Sequence, residues 1–164
     1  MEKRTAVCTR KTKETEIGLT LCLDGSGSNQ IDTGIPFFDH MLDGFARHGL
    51  FDLTVTVKGD LEVDCHHTVE DTGIVLGQAI AKALGDKAGI KRYGYFILPM
   101  DETLALCAAD LSGRPFFRYD AEFTVPRIGG LDTEMIRDFF FVFSYSASIN
   151  LHLKILDGGN THHM

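Results

Sequence analysis

Seven histidines are the residues of this sequence best suited to chemistry, and four of them form two adjacent pairs, His66-His67 and His162-His163. Glu70 follows the two histidines of the first pair by four and three residues, spacings that bring side chains together on one face of a helix. Neighbouring residues of a helix diverge by about 100°. Glu70 can therefore share an ion with one histidine while the other points elsewhere, which predicts two metal sites or one site shared by two subunits.

The second pair supplies ligands that the first lacks, and imidazole with carboxylate suits Mn, Fe, Co, Ni or Zn. Other interpretations stay open for single residues. His162-His163 alone is typical of a solvated pair or a purification tag. His40 could cap its helix, and His48 could interact with a helix dipole as a cation. His152 alternates with leucines and is typical of a sheet histidine.

Four further residues near these motifs are interpreted without a catalytic role. Cys65, beside His66, is expected to be a bystander because carboxylates, not thiolates, accompany these histidines. Asp60, Asp64 and Asp71 are expected to be turn and helix-start residues.

Two arginines stand beside glycine turns, Arg92 in KRYG and Arg114 in SGRP. A guanidinium binds phosphate through two parallel hydrogen bonds, so both are candidate phosphate ligands. The alternative is that both are solvated loop arginines.

Charge and composition exclude several function classes. The formal net charge of −7 leaves no basic surface for nucleic acid, so a phosphate must be held locally. The longest apolar run, 139–143, is far too short for a membrane span of about 20 residues. The N-terminus has no signal core, and the four cysteines form no CxxC motif. We expect a cytoplasmic protein with reduced thiols.

The hydropathy pattern predicts the elements that position these residues. Alternation predicts strands over 12–24 and 51–57, with 61–65 as the partner of the latter. A spacing of three and four predicts a helix over 36–48 and a second one over 66–84.

The same order begins again halfway along the chain, which predicts an internal repeat. Glu14-Thr15 recurs as Glu102-Thr103, 88 residues later, and the first histidine pair recurs 96 residues later. The loop 124–133 takes up the difference. We expect an α+β fold of two similar half-domains, 1–88 and 89–164, each a sheet of about four strands with helices on one face.

The repeat also predicts the counterparts of two candidate ligands in the second half. It maps Glu70 onto position 166, beyond Met164, and His40 onto Asp138. The ligands of both halves cannot converge within one small monomer if each pair diverges. We therefore expect sites shared between subunits and completed by metal.

Eight motifs together resemble the imidazoleglycerol-phosphate dehydratase family of histidine biosynthesis, from about residue 4 to the last residue. They are DHML (39–42), HGLFDL (48–53), GDL (59–61), DCHHTVED (64–71), KRYG (91–94), MDET (100–103), DLSGRP (110–115) and GNTHH (159–163). The resemblance implies a ribosomal protein S5 domain 2-like fold and dehydration of D-erythro-imidazoleglycerol phosphate to imidazole acetol phosphate. It further implies two Mn²⁺ per active site and a 24-subunit shell built from trimers.

The resemblance also implies roles for individual residues. One ion is expected on His40, His67, His162 and a glutamate at 166. The other is expected on His66, Glu70, His163 and position 138, where Asp138 is shorter than glutamate and His152 is the fallback. The substrate site is expected to contain Glu14 and His48 as well as the metal ligands, with Arg92, Arg114 and a later lysine on the phosphate. The chain lacks the final helix expected of the family.

The chemistry fits these residues. Dehydration removes a proton of almost no acidity from the carbon next to the imidazole, and two cations on the ring nitrogens favour the imidazolate. Glu14 is our candidate general acid or base, with a metal-bound water as its rival. The alternative functions are a dinuclear metal phosphoesterase and a non-catalytic oligomeric shell whose subunits are joined by metal ions.

Overall fold

The computed structural model describes residues 3–164, which form ten strands and three helices. The first half contains β1 (Thr5–Lys11), β2 (Thr15–Cys22), β3 (Asn29–Asp32), α1 (Pro36–Gly49), β4 (Asp52–Gly59) and α2 (His66–Leu84). The second contains β5 (Tyr93–Met100), β6 (Thr103–Asp110), β7 (Phe116–Asp120), β8 (Arg127–Ile128), β9 (Leu131–Asp132), α3 (Glu134–Ser146) and β10 (Asn150–Asp157).

The two halves have the same sheet topology. The strand orders are β1-β2-β4-β3 and β5-β6-β10-β7. In each sheet the first two pairings are antiparallel and the last is parallel. This correspondence confirms the α+β class and the two similar halves. The boundary between residues 88 and 89 stays a prediction.

One predicted strand is wrong. Residues 61–65 form a turn, and β4 pairs instead with β2 and β3, which occupy both of its edges. The turn leads into α2, where the Asp64 carboxylate accepts the backbone N–H of His66 at 2.7 Å. The strand predicted over 12–24 begins later, because Thr12 donates its N–H to the Thr15 carbonyl in a turn.

The main core lies between the first sheet and α2. Alternate residues of β2 and β4 are buried under the helix, among them Ile17, Leu21 and Leu53. Burying each such side chain stabilises the fold by about 1.5–3 kcal/mol. The centre of α2 is buried as well, because α3 packs against the helix from the other side. The sheet and α3 therefore fix where the histidines at the start of α2 lie.

The second sheet is less covered than the first. Every residue of β5 is exposed, including Phe96 and Leu98, which are 66% and 52% exposed. No helix between residues 3 and 164 packs on β5 as α2 packs on β1. None of the helices in this range is long and apolar enough to cross a membrane.

Two glycines of α2 permit its close contact with α3. A Cβ at Gly77 would lie 2.6 Å from the Phe143 carbonyl oxygen, and one at Gly73 would lie 2.9 Å from that of Phe139. We predict that Gly77→Ala destabilises the fold by about 1–3 kcal/mol through overpacking. Urea denaturation measures this loss. The control Gly44→Ala places its Cβ in α1 with no atom within 4 Å, so an equal loss there would contradict the packing argument.

Candidate active site

The first histidine group joins α1 to the end of the chain. The ring centroids of His40 and His162 are 5.5 Å apart, and Phe37 lies beside both rings. Pro36 opens α1 at a position where its fixed φ suits the helix. The Asp39 carboxylate accepts the N–H and hydroxyl of Thr33, which anchors this turn. Two residues predicted for the same ion thus lie together in one chain.

The second group lies at the start of α2. His66 Nε2 is 3.7 Å from Glu70 Oε2, one helical turn along. The ring of His67 is 5.8 Å from that of His66 and at 80° to it. Helical spacing therefore separates the two rings as predicted. His66 and Glu70 present possible metal-ligand atoms on one side of the helix, while His67 faces away from them.

His67 is held by a carboxylate from the turn before α2. Asp60 places its two oxygens 3.0 and 3.2 Å from His67 Nδ1. This hydrogen bond, with a further contribution from nearby Glu14, raises the pKa of His67. The interpretation of Asp60 as a turn residue was incomplete. The signal that could have found it is a carboxylate seven residues before a candidate ligand, in the turn that precedes the same helix.

His163 is held in a similar way by a different element. Its Nδ1 is 3.0 Å from Glu102 Oε2, in the turn between β5 and β6. The other oxygen of Glu102 accepts the backbone N–H of Asn160 at 2.7 Å. The bond to His163, followed by the one to Asn160, lowers the pKa of Glu102 to about 2. The ring planes of His162 and His163 are at 89°, with their centroids 6.1 Å apart.

The remaining predicted ligands lie elsewhere in the chain. Asp138 contacts Arg137 at 3.5 Å and no histidine. His152 lies on β10, with its ring 5.6 Å from that of Phe116. Among residues 3–164 no three histidine, cysteine, aspartate or glutamate side chains are close enough to hold one ion. The complete ligand sets stay a prediction, and position 166 lies outside the chain.

A buried network anchors the turn that carries Glu14. The Thr15 hydroxyl donates to Asp71 Oδ2 at 2.5 Å, and both residues are buried. Arg10 Nε lies 2.9 Å from the other oxygen, although its N–H does not point at it. Asp71 was interpreted as a helix-start residue. Its actual contacts tie the β1–β2 turn to α2, beside the candidate metal ligands.

The carboxylate of Glu14 is left free by this arrangement. Glu14 donates its backbone N–H to Thr12 Oγ1, and its side chain has no hydrogen-bond partner in the described part of the chain. Its charge acts on His67. Glu14 is therefore a carboxylate without a hydrogen-bond partner in the described residues, and its charge is felt by one predicted metal ligand.

The two arginines lie near one carboxylate at the other end of the second sheet. Arg92 donates to the two oxygens of Asp110 at 2.6 and 3.0 Å. This pairing lowers the pKa of Asp110, and the charge of Arg114 contributes. Glu102 lies at the opposite end of β5 and β6 from Arg92. At the rise per residue of a β-strand, the two residues are about 25 Å apart. Arg92 and His163 of one chain therefore cannot contact the same small substrate.

His48 and Cys65 complete the predicted residues. His48 lies in the last turn of α1, where a cation is favourable. The Cys65 thiol is buried against Asp132, and burial raises its pKa. A buried thiol of this kind is a poor nucleophile and metal ligand, in agreement with its interpretation as a bystander. The four cysteines of the described region are free thiols.

Comparison with known proteins decides the family. The family model for imidazoleglycerol-phosphate dehydratase matches residues 33–164. The chain belongs to the imidazoleglycerol-phosphate dehydratase family. A family member from Lachnoclostridium phytofermentans is 63% identical over 161 residues, which cover 98% of this chain and 82% of that protein. One from Lacticaseibacillus casei is 58% identical over 160 residues, with the same two coverages.

Solved structures of this dehydratase family share the fold. The enzyme from Staphylococcus aureus superposes with a TM-score of 0.87 at 34% identity, covering 97% of this chain and 88% of that one. The enzyme from Pyrococcus furiosus, solved in complex with (S)-C348, gives a TM-score of 0.81 at 32% identity, with 95% and 83% covered. The fold and family implied by the sequence motifs are thereby confirmed.

The Thr15–Asp71 contact generates a prediction about this family member. Thr15→Val removes the hydroxyl and leaves a carboxylate oxygen buried without that partner. We expect a loss of about 1.5–3 kcal/mol in the free energy of unfolding, measured with urea. The control Thr54→Val changes an exposed threonine of β4. A Thr15→Val variant as stable as that control would show that the network does not anchor the turn.

Proposed function

We propose that this chain is a hydro-lyase that converts D-erythro-imidazoleglycerol phosphate to imidazole acetol phosphate, a step of histidine biosynthesis in the cytoplasm. The observation that carries the proposal is the family match over nearly the whole chain. The geometry supports it, because imidazole donors, a free carboxylate and two arginines are the groups this substrate needs.

The proposed reaction also uses two Mn²⁺ ions. The residues fit such ions as partial sites: His40 with His162 for one, and His66 with Glu70 for the other. His67 and His163 each have Nδ1 occupied by a carboxylate, which leaves Nε2 for a metal. We assign the first ion to His40, His67 and His162. We assign the second to His66, Glu70 and His163, with Asp138 as its fourth ligand in the proposal and His152 as the fallback.

The chain's own residues have distinct tasks in the proposed reaction. When bound, the cations withdraw charge from the imidazole of the substrate and make the adjacent C–H more acidic. Glu14, whose carboxylate is free, transfers the proton, and His48 lines the substrate site. Arg92 and Arg114 bind the phosphate. For this, the Arg92 guanidinium either releases Asp110 or binds Asp110 and the phosphate at the same time.

The proposed sites form between copies of the chain. His67 does not reach His40 and His162 in one chain, and His163 does not reach His66 and Glu70. In a consistent arrangement, one copy supplies His66, His67 and Glu70 to a site, and another copy supplies His40, His162 and His163. The separation of Arg92 from His163 requires a further contribution across an interface. We propose that such interfaces form in a 24-subunit shell built from trimers.

The direct test of the proposed function is loss of water from imidazoleglycerol phosphate. Protein stripped with EDTA and reloaded with Mn²⁺ should form imidazole acetol phosphate, and the stripped protein should not. Formation of product at the same rate without metal would contradict the metal requirement. Absence of product under both conditions would contradict the function.

The same assay tests the two alternatives. A dinuclear phosphoesterase would use similar ligands to activate water, and its product is inorganic phosphate. A metal-glued shell without catalysis would bind no imidazole phosphate. The free Glu14 carboxylate and the two arginines near Asp110 argue against a shell, because neither is needed to join subunits by metal.

Metal removal also tests the proposed assembly. If metal ions join ligands of different copies, exhaustive EDTA treatment should reduce the particle to a small oligomer, and Mn²⁺ should restore it. Size-exclusion chromatography with light scattering measures the mass before and after. An unchanged mass in EDTA would contradict sites that span copies.

A further inference from the structure

Two glutamates occupy the same position in the two repeats. Glu14 lies in the β1–β2 turn and Glu102 in the β5–β6 turn, each directly before the strand that begins at Thr15 or Thr103. Each also lies near the second histidine of a pair. Glu102 contacts His163, and the charge of Glu14 acts on His67. Glutamates related by the repeat therefore interact with related histidines, Glu102 through a hydrogen bond and Glu14 through its charge.

Their contacts nevertheless differ. Glu102 is engaged through both oxygens, with His163 and with Asn160. The Glu14 carboxylate has no hydrogen-bond partner in the described part of the chain, and His67 Nδ1 is held by Asp60 instead. The repeat explains why Asp60 has no counterpart. β4 ends at Gly59 and β10 at Asp157, so the position after each strand is Asp60 in the first half and Gly158 in the second.

We propose that Asp60 and Glu102 are positioning residues with the same function. Asp60 holds Nδ1 of His67 and Glu102 holds Nδ1 of His163, so that Nε2 of each histidine faces a metal ion. In the first repeat Asp60 takes over this task, and Glu14 is thereby released for proton transfer. The inference rests on the proposed metal-dependent function and assigns different roles to two glutamates that the repeat makes equivalent.

The physical basis of this proposal is that imidazole has two ring nitrogens, one of which can hydrogen-bond a carboxylate while the other binds a metal ion. A carboxylate that accepts the Nδ1 proton fixes the tautomer and the ring plane, and it makes Nε2 a stronger donor to a metal. The Asp60 side chain is 19% exposed, so solvent competes little for its bond to His67. Asp101 does not block His163, because it lies 3.8 Å from Nε2 and is 81% exposed.

The test measures Mn²⁺ binding apart from catalysis. The free Mn²⁺ signal in electron paramagnetic resonance gives the affinity of the full chain and of Asp60→Asn, Glu102→Gln and Glu14→Gln. We expect the first two variants to bind Mn²⁺ about 10–100-fold more weakly. Glu14→Gln should bind Mn²⁺ as the unmodified chain does, while its kcat falls about 100-fold or more.

Two comparisons separate positioning from general effects. Asp43→Asn removes a carboxylate that contacts Asn29 and Arg47 on α1, away from the histidine pairs, and should leave Mn²⁺ affinity unchanged. Asp60→Asn keeps an oxygen that can accept the Nδ1 proton, so it should bind Mn²⁺ more tightly than Asp60→Ala. The thermal midpoint of the EDTA-stripped variants shows whether the fold is retained.

Each outcome has a defined meaning. Wild-type affinity in Asp60→Asn and Glu102→Gln would overturn the positioning role alone. Equal weakening by Glu14→Gln or Asp43→Asn would overturn the division between the two glutamates. An unmodified chain that takes up no Mn²⁺ would overturn the proposed metal function and this inference with it.

Discussion

Adjacent histidines at the start of a helix point in directions about 100° apart, and the proposed site depends on this constraint. The ring planes of both pairs are close to perpendicular, at the start of α2 for the first pair and in the turn 161–163 for the second. In the proposed site each pair serves two different ions, so its two imidazoles need different companions. His66 has Glu70 on its own helix, and His162 has His40 from α1. We propose that another copy of the chain completes these partial sites.

The fold serves this arrangement by making the start of α2 rigid. The helix is buried between the first sheet and α3, and Gly73 and Gly77 let the two helices approach closely. The Thr15–Asp71 contact ties the β1–β2 turn to the same helix. Glu14, His67 and Glu70 are consequently held by one connected body of structure, which favours a fixed ligand geometry over one formed only when metal binds.

Much of this could be predicted from the sequence because the signals are local or repeated. Helical spacing predicted that Glu70 lies near one histidine of the first pair and that the two histidines diverge, and the recurrence of Glu14-Thr15 located the second half. The strand at 61–65 was wrong because alternation alone cannot show that β3 occupies the edge of β4. The roles of Asp60, Asp71 and Glu102 depend on contacts across turns, up to 61 residues apart in the chain. No local pattern records such contacts.

The central claim is that ligands from different copies complete each site, and mixing two inactive variants tests it most directly. His67→Ala and His162→Ala each remove a ligand from a different partial site. The two proteins are stripped with EDTA, mixed, and reassembled with Mn²⁺ before dehydration is measured. Sites that pair an intact His162 from one copy with an intact His67 from another should restore part of the activity, while each variant alone stays inactive. No recovery in a mixture shown to contain both chains would contradict the account.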